Sequence, residues 1–420
     1  MTSPEVLSNP VGSVRMGLVM VGLPARGKTF IAQKVARYLR WRGVNTEVFN
    51  VGNYRRDRVG AHQKHLFFDP DNPEGLALRR QFAMAALDDM IAWLGRGGQV
   101  GIYDATNSTR QRRDAVRRRC EEAGLDVVFV ETICNDAAIV DNNVRQTKAT
   151  SPDYEGVDSD AAVRDFRQRI SHYERVYEPV DELDGAFVKL IDVGKRVVAH
   201  NIRGYLPARL VYFLMNLHIQ PRPILLSRHG QSAYNVLGRI GGDAGLSPLG
   251  KQYAGSLAEF VRGYQPAPTQ VWCSTLRRAT ETARSVTPEP LGMRALCEID
   301  AGECDGLTYE EIRRQHPQEF AARAKDKLRY RYPRGESYED VIQRLEPVIV
   351  ELERQREPVL VVSHQAVLRA LVAYLMDEPR HKCPYLHIPL HTVIELTPRA
   401  YGADERRFLL PPPVGTSGTS

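Results

Sequence analysis

A chain of 420 residues exceeds what one core usually organises, since domains run to roughly 100 to 200 residues, so two or three are expected. Hydrophobic residues at 43% and charged residues at 26% are globular proportions, which excludes wholesale disorder and a fibrous design. The net charge of +6 suits acidic ligands such as phosphorylated small molecules and falls short of the footprint of a dedicated nucleic-acid binder.

The opening MTSPEVLSNPVGS lacks the basic and apolar regions of a signal peptide, which points to the cytoplasm. Short β-branched runs then alternate with longer stretches of helical period, the pattern of parallel sheets covered by helices, so the expected fold class is α/β. The first half offers strands at Met16 to Val21, Thr46 to Val51, Val100 to Asp104, Val127 to Ile133 and Phe187 to Val193. Between the first two, Ile31, Val35 and Leu39 recur every fourth residue in a helix expected over Thr29 to Arg40, with Gly43 as its stop. The longest apolar stretch, around Leu210 to Ile219, is far below the roughly 18 residues of a membrane span. Pro221 and Pro223 then interrupt the chain, placing a domain boundary near Gln220, with domains of 1–220 and 221–420. A second series of strands follows at Ile224, Val271 to Ser274, Val359 to Ser363 and Val393 to Leu396, and the closing LLPPPVGTSGTS reads as a disordered tail. Six cysteines without any CxxC spacing suggest neither a disulfide framework nor a zinc site.

Chemistry enters first at Gly22-Leu-Pro-Ala-Arg-Gly27-Lys28-Thr29, which fits GxxxxGK followed by Thr and lies between an expected strand and an expected helix. In such a loop, backbone N–H groups and the helix end hold phosphates. Lys28 neutralises β/γ charge, and the Thr29 hydroxyl ligates Mg²⁺. The Mg²⁺ also needs a carboxylate at a neighbouring strand end, where Asp104 stands. The competing role for Asp104 is a helix cap, which Asn107 or Ser108 could fill instead. Arg110, Arg112, Arg113, Arg117, Arg118 and Arg119 then crowd one helix without interleaved aromatics. An anion-binding helix start with solvated arginines beyond it explains them better than nucleic-acid binding.

In the second half, Arg228-His229-Gly230 follows one apolar strand and His364 follows another, both at carboxyl ends where open α/β sheets bind ligands. A neutral imidazole can attack phosphorus when cationic groups offset the phosphoryl oxygens, and Arg228, Arg278 and His364 could do so. The leaving alkoxide requires a proton donor, for which Glu298 is the candidate.

Over roughly residues 16–405 the chain resembles the bifunctional 6-phosphofructo-2-kinase/fructose-2,6-bisphosphatase family. The strings GLPARGKT, FNVGNYRRD, YDATN, TSPDY, SRHGQS, GRIGGDAGLSP, EIDAGECDGLTYEEI, RYRYPRGESYED, SHQAV and PLHTVIELTP carry the resemblance. It implies a kinase half that transfers the ATP γ-phosphoryl group to the 2-hydroxyl of fructose 6-phosphate with Mg²⁺. The other half implied is a phosphoglycerate-mutase-like histidine phosphatase that hydrolyses fructose 2,6-bisphosphate. Lys28, Thr29 and Asp104 match the family's nucleotide and metal positions, Lys148 a lysine near the transferring phosphate, and Asn143 a nucleotide contact. Arg79, Thr106, Arg112, Arg169 and Tyr173 match fructose 6-phosphate positions, with Arg55 and Arg56 lining that site. His229 matches the nucleophile and Glu298 the acid, while Arg228, Asn235, Arg278 and His364 match the 2-phosphate pocket. Tyr309, Arg323, Lys327, Tyr338, Gln365 and Arg369 match positions holding the sugar and its 6-phosphate. The resemblance also implies a homodimer through the kinase halves, without nucleic-acid or membrane partners. One departure stands out: the familiar RHGES reads RHGQS, with Gln231 replacing an acid.

Overall fold

β1 (Met16–Val21) is buried at all six positions, as a strand covered on both faces must be. The structure, a computed structural model, describes residues 15–150, 152–192, 194–399 and 401–410, with backbone alone at 146–150. After β1 come α1 (Lys28–Trp41), β2 (Thr46–Asn50), α2 (Val51–Val59), α3 (Pro73–Gly95), β3 (Val100–Asp104), α4 (Arg110–Glu122) and β4 (Asp126–Ile133). They are followed by α5 (Ala137–Thr150), α6 (Ser159–Glu174), β5 (Phe187–Ile191), β6 (Arg196–His200) and α7 (Tyr205–Met215). The strands order β2-β3-β1-β4-β5-β6, all parallel except β6, which runs antiparallel to β5. Because β1 is flanked by β3 and β4, the loops leaving β1 and β3 open side by side at the carboxyl edge, the usual ligand crevice of such sheets.

The chain divides into two units at Ile219/Gln220. The second contains β7 (Ile224–Arg228), α8 (Ala233–Val236), α9 (Pro248–Gly263), β8 (Gln270–Cys273), α10 (Arg277–Arg284), β9 (Leu291–Gly292), α11 (Tyr309–Gln315) and α12 (Pro317–Lys325). It ends with α13 (Tyr338–Arg354), β10 (Val359–Ser363), α14 (Gln365–Met376), β11 (Thr392–Pro398) and β12 (Ala403–Leu409). Here the order is β12-β11-β7-β10-β8-β9, with β7, β10, β8 and β9 parallel and β11 and β12 antiparallel. Adjacent parallel strands β7 and β10 deliver His229 and His364 to the same edge.

Each unit has its own core. Val19, Leu87, Met90, Tyr103 and Phe129 are buried together in the first, and Leu225, Tyr253, Leu257, Leu360 and Val393 in the second. At roughly 1.5–3 kcal/mol for each large side chain removed from water, these clusters hold the strand ends that carry the chemistry.

The expected strands are all present, with ends shifted by a residue or two. Val51 begins α2 because Asn50 caps it, its Oδ1 accepting from the Asn53 N–H at 3.2 Å. The expected stretch Phe187 to Val193 ends at Ile191, and Val193 lies outside the described residues. β6 and β12 were not expected, because edge strands facing solvent carry no apolar alternation to read. Residues 411–420, most of the expected disordered tail, are outside the described residues.

Candidate active sites

At the first crevice, Gly27 caps α1 in the left-handed region (φ 81°), and no side chain caps the helix's first turn. The first-turn N–H groups are therefore available to an anion. Lys28 Nζ donates to the Leu23 carbonyl at 2.7 Å, and Thr29 Oγ1 donates to Asp104 Oδ2 at 2.7 Å. Asn50 Nδ2 donates to the same carboxylate oxygen at 2.5 Å. Burial pushes Lys28 down to about 8 against the pull of the Asp104 charge, and raises Asp104 against Thr29, Lys28 and Asn50. A buried carboxylate whose charge is disfavoured, beside a hydroxyl oxygen, is a hard-donor set that a Mg²⁺ ion fits. Among the described residues no cluster of three or more His, Cys, Asp or Glu forms a protein-only cage, so phosphate and water oxygens would complete the coordination.

Asn143 Nδ2 donates to the Ala25 carbonyl at 3.0 Å, tying α5 to the phosphate loop. Beside it lies an apolar pocket lined by Ile31, Ile133, Ile139, Leu190 and Leu214, with Arg26 and Asn143 at its polar side. Lys148 lies in the last turns of α5, where side chains are outside the described residues.

The expected sugar-phosphate residues fall into two groups. Arg55 on α2 binds both oxygens of Asp153 at 2.5 Å, Arg169 on α6 reaches Asp153 at 3.5 Å, and Arg56 comes within 3.8 Å. The Arg169 guanidinium lies 3.6 Å from the Phe68 ring centre, and the Tyr173 ring packs at 6.3 Å from Phe68. Three guanidinium groups against one carboxylate leave an excess positive charge suited to a phosphate dianion. Arg79, Thr106 and Arg112 do not join this group. Arg79 donates to the carbonyls of Gly75, Phe68 and Asp69 at 3.0–3.1 Å, bracing the turn that carries Phe68. Thr106 accepts from the Gly22 N–H at 3.0 Å through its carbonyl, and Arg112 donates to the Tyr103 hydroxyl at 2.7 Å.

Two expectations about α4 need correcting. Neither Asn107 nor Ser108 caps it. Thr109 does, accepting from the Arg112 N–H at 3.3 Å, while Asn107 Nδ2 donates to the Met20 carbonyl at 2.8 Å. Arg113 is not solvated, because its side chain is fully buried against Asp184, with Nε to Oδ1 at 2.7 Å. One turn of helix cannot expose every position, and Arg113 falls on the side facing the segment that carries Asp184.

In the second unit, His229 is 3% exposed and His364 0% exposed, with ring centroids 4.9 Å apart. His229 Nδ1 lies 2.7 Å from the Gly230 carbonyl, which can only accept, so Nδ1 carries the proton and Nε2 presents its lone pair. Arg278 Nε donates to that Nε2 at 3.2 Å. His364 Nε2 pairs with Ser274 Oγ at 2.7 Å. Burial holds both imidazoles well below the usual histidine range. Arg278 and Arg228 add to this at His229, and His229 and both arginines add to it at His364. Gly230 admits no side chain, since a Cβ there would sit 2.4 Å from the Gly250 carbonyl oxygen. Glu298 accepts from the Ala366 N–H at 3.1 Å, at the start of α14.

His229, Arg278 and Glu298 open into one cleft. It is lined by Arg228, His229, Asn235, Arg278, Glu298, Tyr309, Arg323, Lys327, Tyr338, Gln365 and Arg369, while His364, its ring centroid 4.9 Å from that of His229, is not among the lining residues. Burial lowers Arg228 to about 10 and, helped by Arg369 and Arg323, Lys327 to about 8. Three cations are aimed by one segment: the carbonyls of Pro384, Leu386 and Ile388 accept from Lys327, Arg369 and Arg228 at 3.0, 2.7 and 3.0 Å. Pro384 lies at the end of a 3₁₀ helix over Arg380–Tyr385, and Leu386 and Ile388 follow it, a relation residue types alone do not reveal. Sequence reasoning also missed Asp153, Tyr234, Arg239, Tyr330 and Tyr332, the last four also lining this cleft. Gln231 is absent from the lining, and its Oε1 accepts from Ser247 Oγ at 2.9 Å.

A phosphate-loop crevice in one unit and a paired-histidine cleft in the other define a phosphotransferase joined to a histidine phosphatase. The 6-phosphofructo-2-kinase profile matches residues 5–221, and the histidine phosphatase superfamily (branch 1) profile matches residues 224–409. A 6-phosphofructo-2-kinase/fructose-2,6-bisphosphatase of Arabidopsis thaliana is 54% identical over 97% of this chain, which spans 55% of that protein's length. The protein of that name from Gallus gallus is 51% identical over 94% of this chain and 84% of its own length. The human protein named 6-phosphofructo-2-kinase/fructose-2,6-bisphosphatase 4 matches at the same identity and coverage. The chain belongs to the 6-phosphofructo-2-kinase/fructose-2,6-bisphosphatase family, whose two halves make and hydrolyse fructose 2,6-bisphosphate. ATP is the co-substrate of its kinase half. Among the described residues no helix is long and apolar enough to cross a membrane.

Proposed function

We propose that both sites of this chain turn over: residues 1–220 phosphorylate fructose 6-phosphate at its 2-hydroxyl, and residues 221–420 remove that phosphate through a phosphohistidine. The observation that carries the reading is the His229 imidazole, neutral, with its Nε2 lone pair facing Arg278 at 3.2 Å.

In the kinase half the phosphate loop from Gly22 to Gly27 and Lys28 hold the ATP phosphates, and the apolar pocket beside Asn143 takes the base. Thr29 and Asp104 hold Mg²⁺, which supplies charge neutralisation on the phosphate oxygens. Arg55, Arg56, Arg169 and Tyr173 receive the sugar phosphate, with Arg79 bracing their turn. Thr106, just beyond the end of β3, and Arg112, whose guanidinium donates to the Tyr103 hydroxyl, also contact fructose 6-phosphate, and Lys148 approaches the transferring group. No carboxylate base is assigned, as positioning and charge account for catalysis.

In the phosphatase half, His229 Nε2 attacks phosphorus of the 2-phosphate while the bond to the sugar oxygen breaks. Glu298 protonates that oxygen, then takes a proton from the water that cleaves the phosphohistidine and releases phosphate. Arg228, Asn235, Arg278 and His364 stabilise the phosphoryl oxygens. Tyr309, Arg323, Lys327, Tyr338, Gln365 and Arg369 hold the sugar and its 6-phosphate. The protein acts in the cytoplasm as a homodimer through its kinase halves. The edge strand β6, with Val198 exposed, and Tyr205, Tyr212 and Met215 of α7 are consistent with that.

Purified protein given ATP, Mg²⁺ and fructose 6-phosphate is expected to form an acid-labile bisphosphate. Labelled fructose 2,6-bisphosphate is expected to transfer its 2-phosphate to His229. No product at any enzyme concentration ends the kinase reading, and undiminished labelling of His229→Ala ends the nucleophile assignment.

A further inference from the structure

The GRIGGDAG segment and the segment after Cys304 are zipped together outside the groups assigned above. Arg239 and Thr308 form an antiparallel bridge. The Ile240 N–H donates to Leu307 O and the Gly306 N–H to Ile240 O, each at 2.9 Å. At the end of this ladder Asp305 Oδ1 accepts from the Gly242 N–H at 2.6 Å. The approach is so close that a Cβ on Gly241 would lie 1.5 Å from Asp305 Oδ1. Gly241 and Gly242 both adopt left-handed backbone, φ 68° and 60°, which glycine alone does without cost.

This turn faces α10. The Gly242 carbonyl accepts from Arg278 Nη1 at 2.6 Å, and Asp243 Oδ1 accepts from the Arg277 N–H at 2.6 Å. Arg278 Nε in turn donates to His229 Nε2 at 3.2 Å. A single path therefore runs from Asp305 through the Gly242 peptide and the Arg278 guanidinium to the nucleophilic nitrogen. The path also carries charge: burial lowers Arg278, and Glu298, Asp243 and Asp305 oppose that.

We propose that Asp305 is a positioning residue of the phosphatase reaction, fixing the Gly241-Gly242 turn so that its carbonyl aims Arg278 at the phosphoryl group on which His229 acts. The inference rests on His229 being the nucleophile. It concerns the chemical step rather than substrate capture, because Lys327 and Arg369 are held by the Pro384 and Leu386 carbonyls and not by this turn.

The test uses the full chain carrying Asp305→Ala, Asp305→Asn, Arg278→Ala or the Asp305→Ala/Arg278→Ala pair. Single-turnover phosphoenzyme formation, phosphatase kcat and KM, and kinase turnover are measured on each preparation. Asp305→Ala is expected to lower phosphatase kcat about tenfold or more, since misplacing a transition-state group by about 1 Å costs up to about a hundredfold, with KM within about threefold. Asp305→Asn keeps an acceptor oxygen and is expected to recover most of the rate, and kinase turnover is expected to be unchanged. In the Arg278→Ala background Asp305→Ala is expected to add no further loss, because the path is already cut. A rise in KM with kcat retained, an Asn variant no better than Ala, losses that add to those of Arg278→Ala, or a parallel fall in kinase turnover overturns the proposal. Wild-type protein that places no label on His229 overturns the nucleophile reading instead.

Discussion

Replacing His229 by Asn separates the energetic cost of keeping a neutral imidazole in the cleft from every other pH effect. An imidazole in the unfolded chain titrates near 6.5, while burial and the charges of Arg278 and Arg228 hold folded His229 well below that. Below pH 6.5 the unfolded chain therefore binds a proton that the folded chain refuses, and stability falls as pH falls. The slope is about 1.4 kcal/mol per pH unit for each imidazole that stays neutral, and it ends where the folded group itself titrates. His364, at 0% exposure, follows the same sign, so the pair costs up to about 3 kcal/mol per unit against a domain stability of about 5–15 kcal/mol. Urea-dependent protection of the β7 and β10 amides in pulsed hydrogen exchange, at pH 7.5, 6.5 and 5.5, reads the stability of the strands that end in these histidines. Wild type is expected to lose about 1 kcal/mol more than His229→Asn between pH 6.5 and 5.5, because the unfolded imidazole is already half-protonated at the upper end of that window. Parallel pH curves for the two proteins would mean that His229 takes up its proton as readily folded as unfolded, and the neutral-nucleophile argument would fail.

Asp184→Ala leaves the fully buried Arg113 guanidinium without its carboxylate and is expected to cost about 3–5 kcal/mol in urea unfolding of the first unit. A loss below about 1 kcal/mol would contradict the burial assigned to the pair. Lys28→Met is expected to lower kinase kcat by a hundredfold or more, by the scale of about 10²–10³ for one lost transition-state contact, while phosphatase turnover holds. Equal losses in both activities would refute independent sites. Gln231→Glu is expected to leave phosphatase kcat and KM within about twofold, because the new carboxylate still accepts from Ser247 outside the cleft, on the scale of about 0.5 kcal/mol for neutral changes. A larger change in either constant would place this side chain in the reaction.

What could be read from the chain alone was whatever is written in consecutive residues. The phosphate loop between strand and helix, an Asp closing an apolar run at Asp104, and histidines closing two others at His229 and His364 all follow from local periodicity and turn chemistry. The edge strands β6 and β12 carried no such pattern, since neither face of an exposed strand must be apolar. Arg113 and Arg118 illustrate the limit. Both are arginines on one helix, yet only Arg113 turns inward to a carboxylate 71 residues away, and no local signal distinguishes them. Asp153 gathering Arg55, Arg56 and Arg169, the three carbonyls aiming Lys327, Arg369 and Arg228, and Asp305 reaching Gly242 were likewise decided only when the strands aligned. Sequence names the groups able to bind phosphate, because charge and nucleophilicity belong to residue types. Which of them face a common anion depends on directions and distances between remote segments, and those exist only in the folded chain.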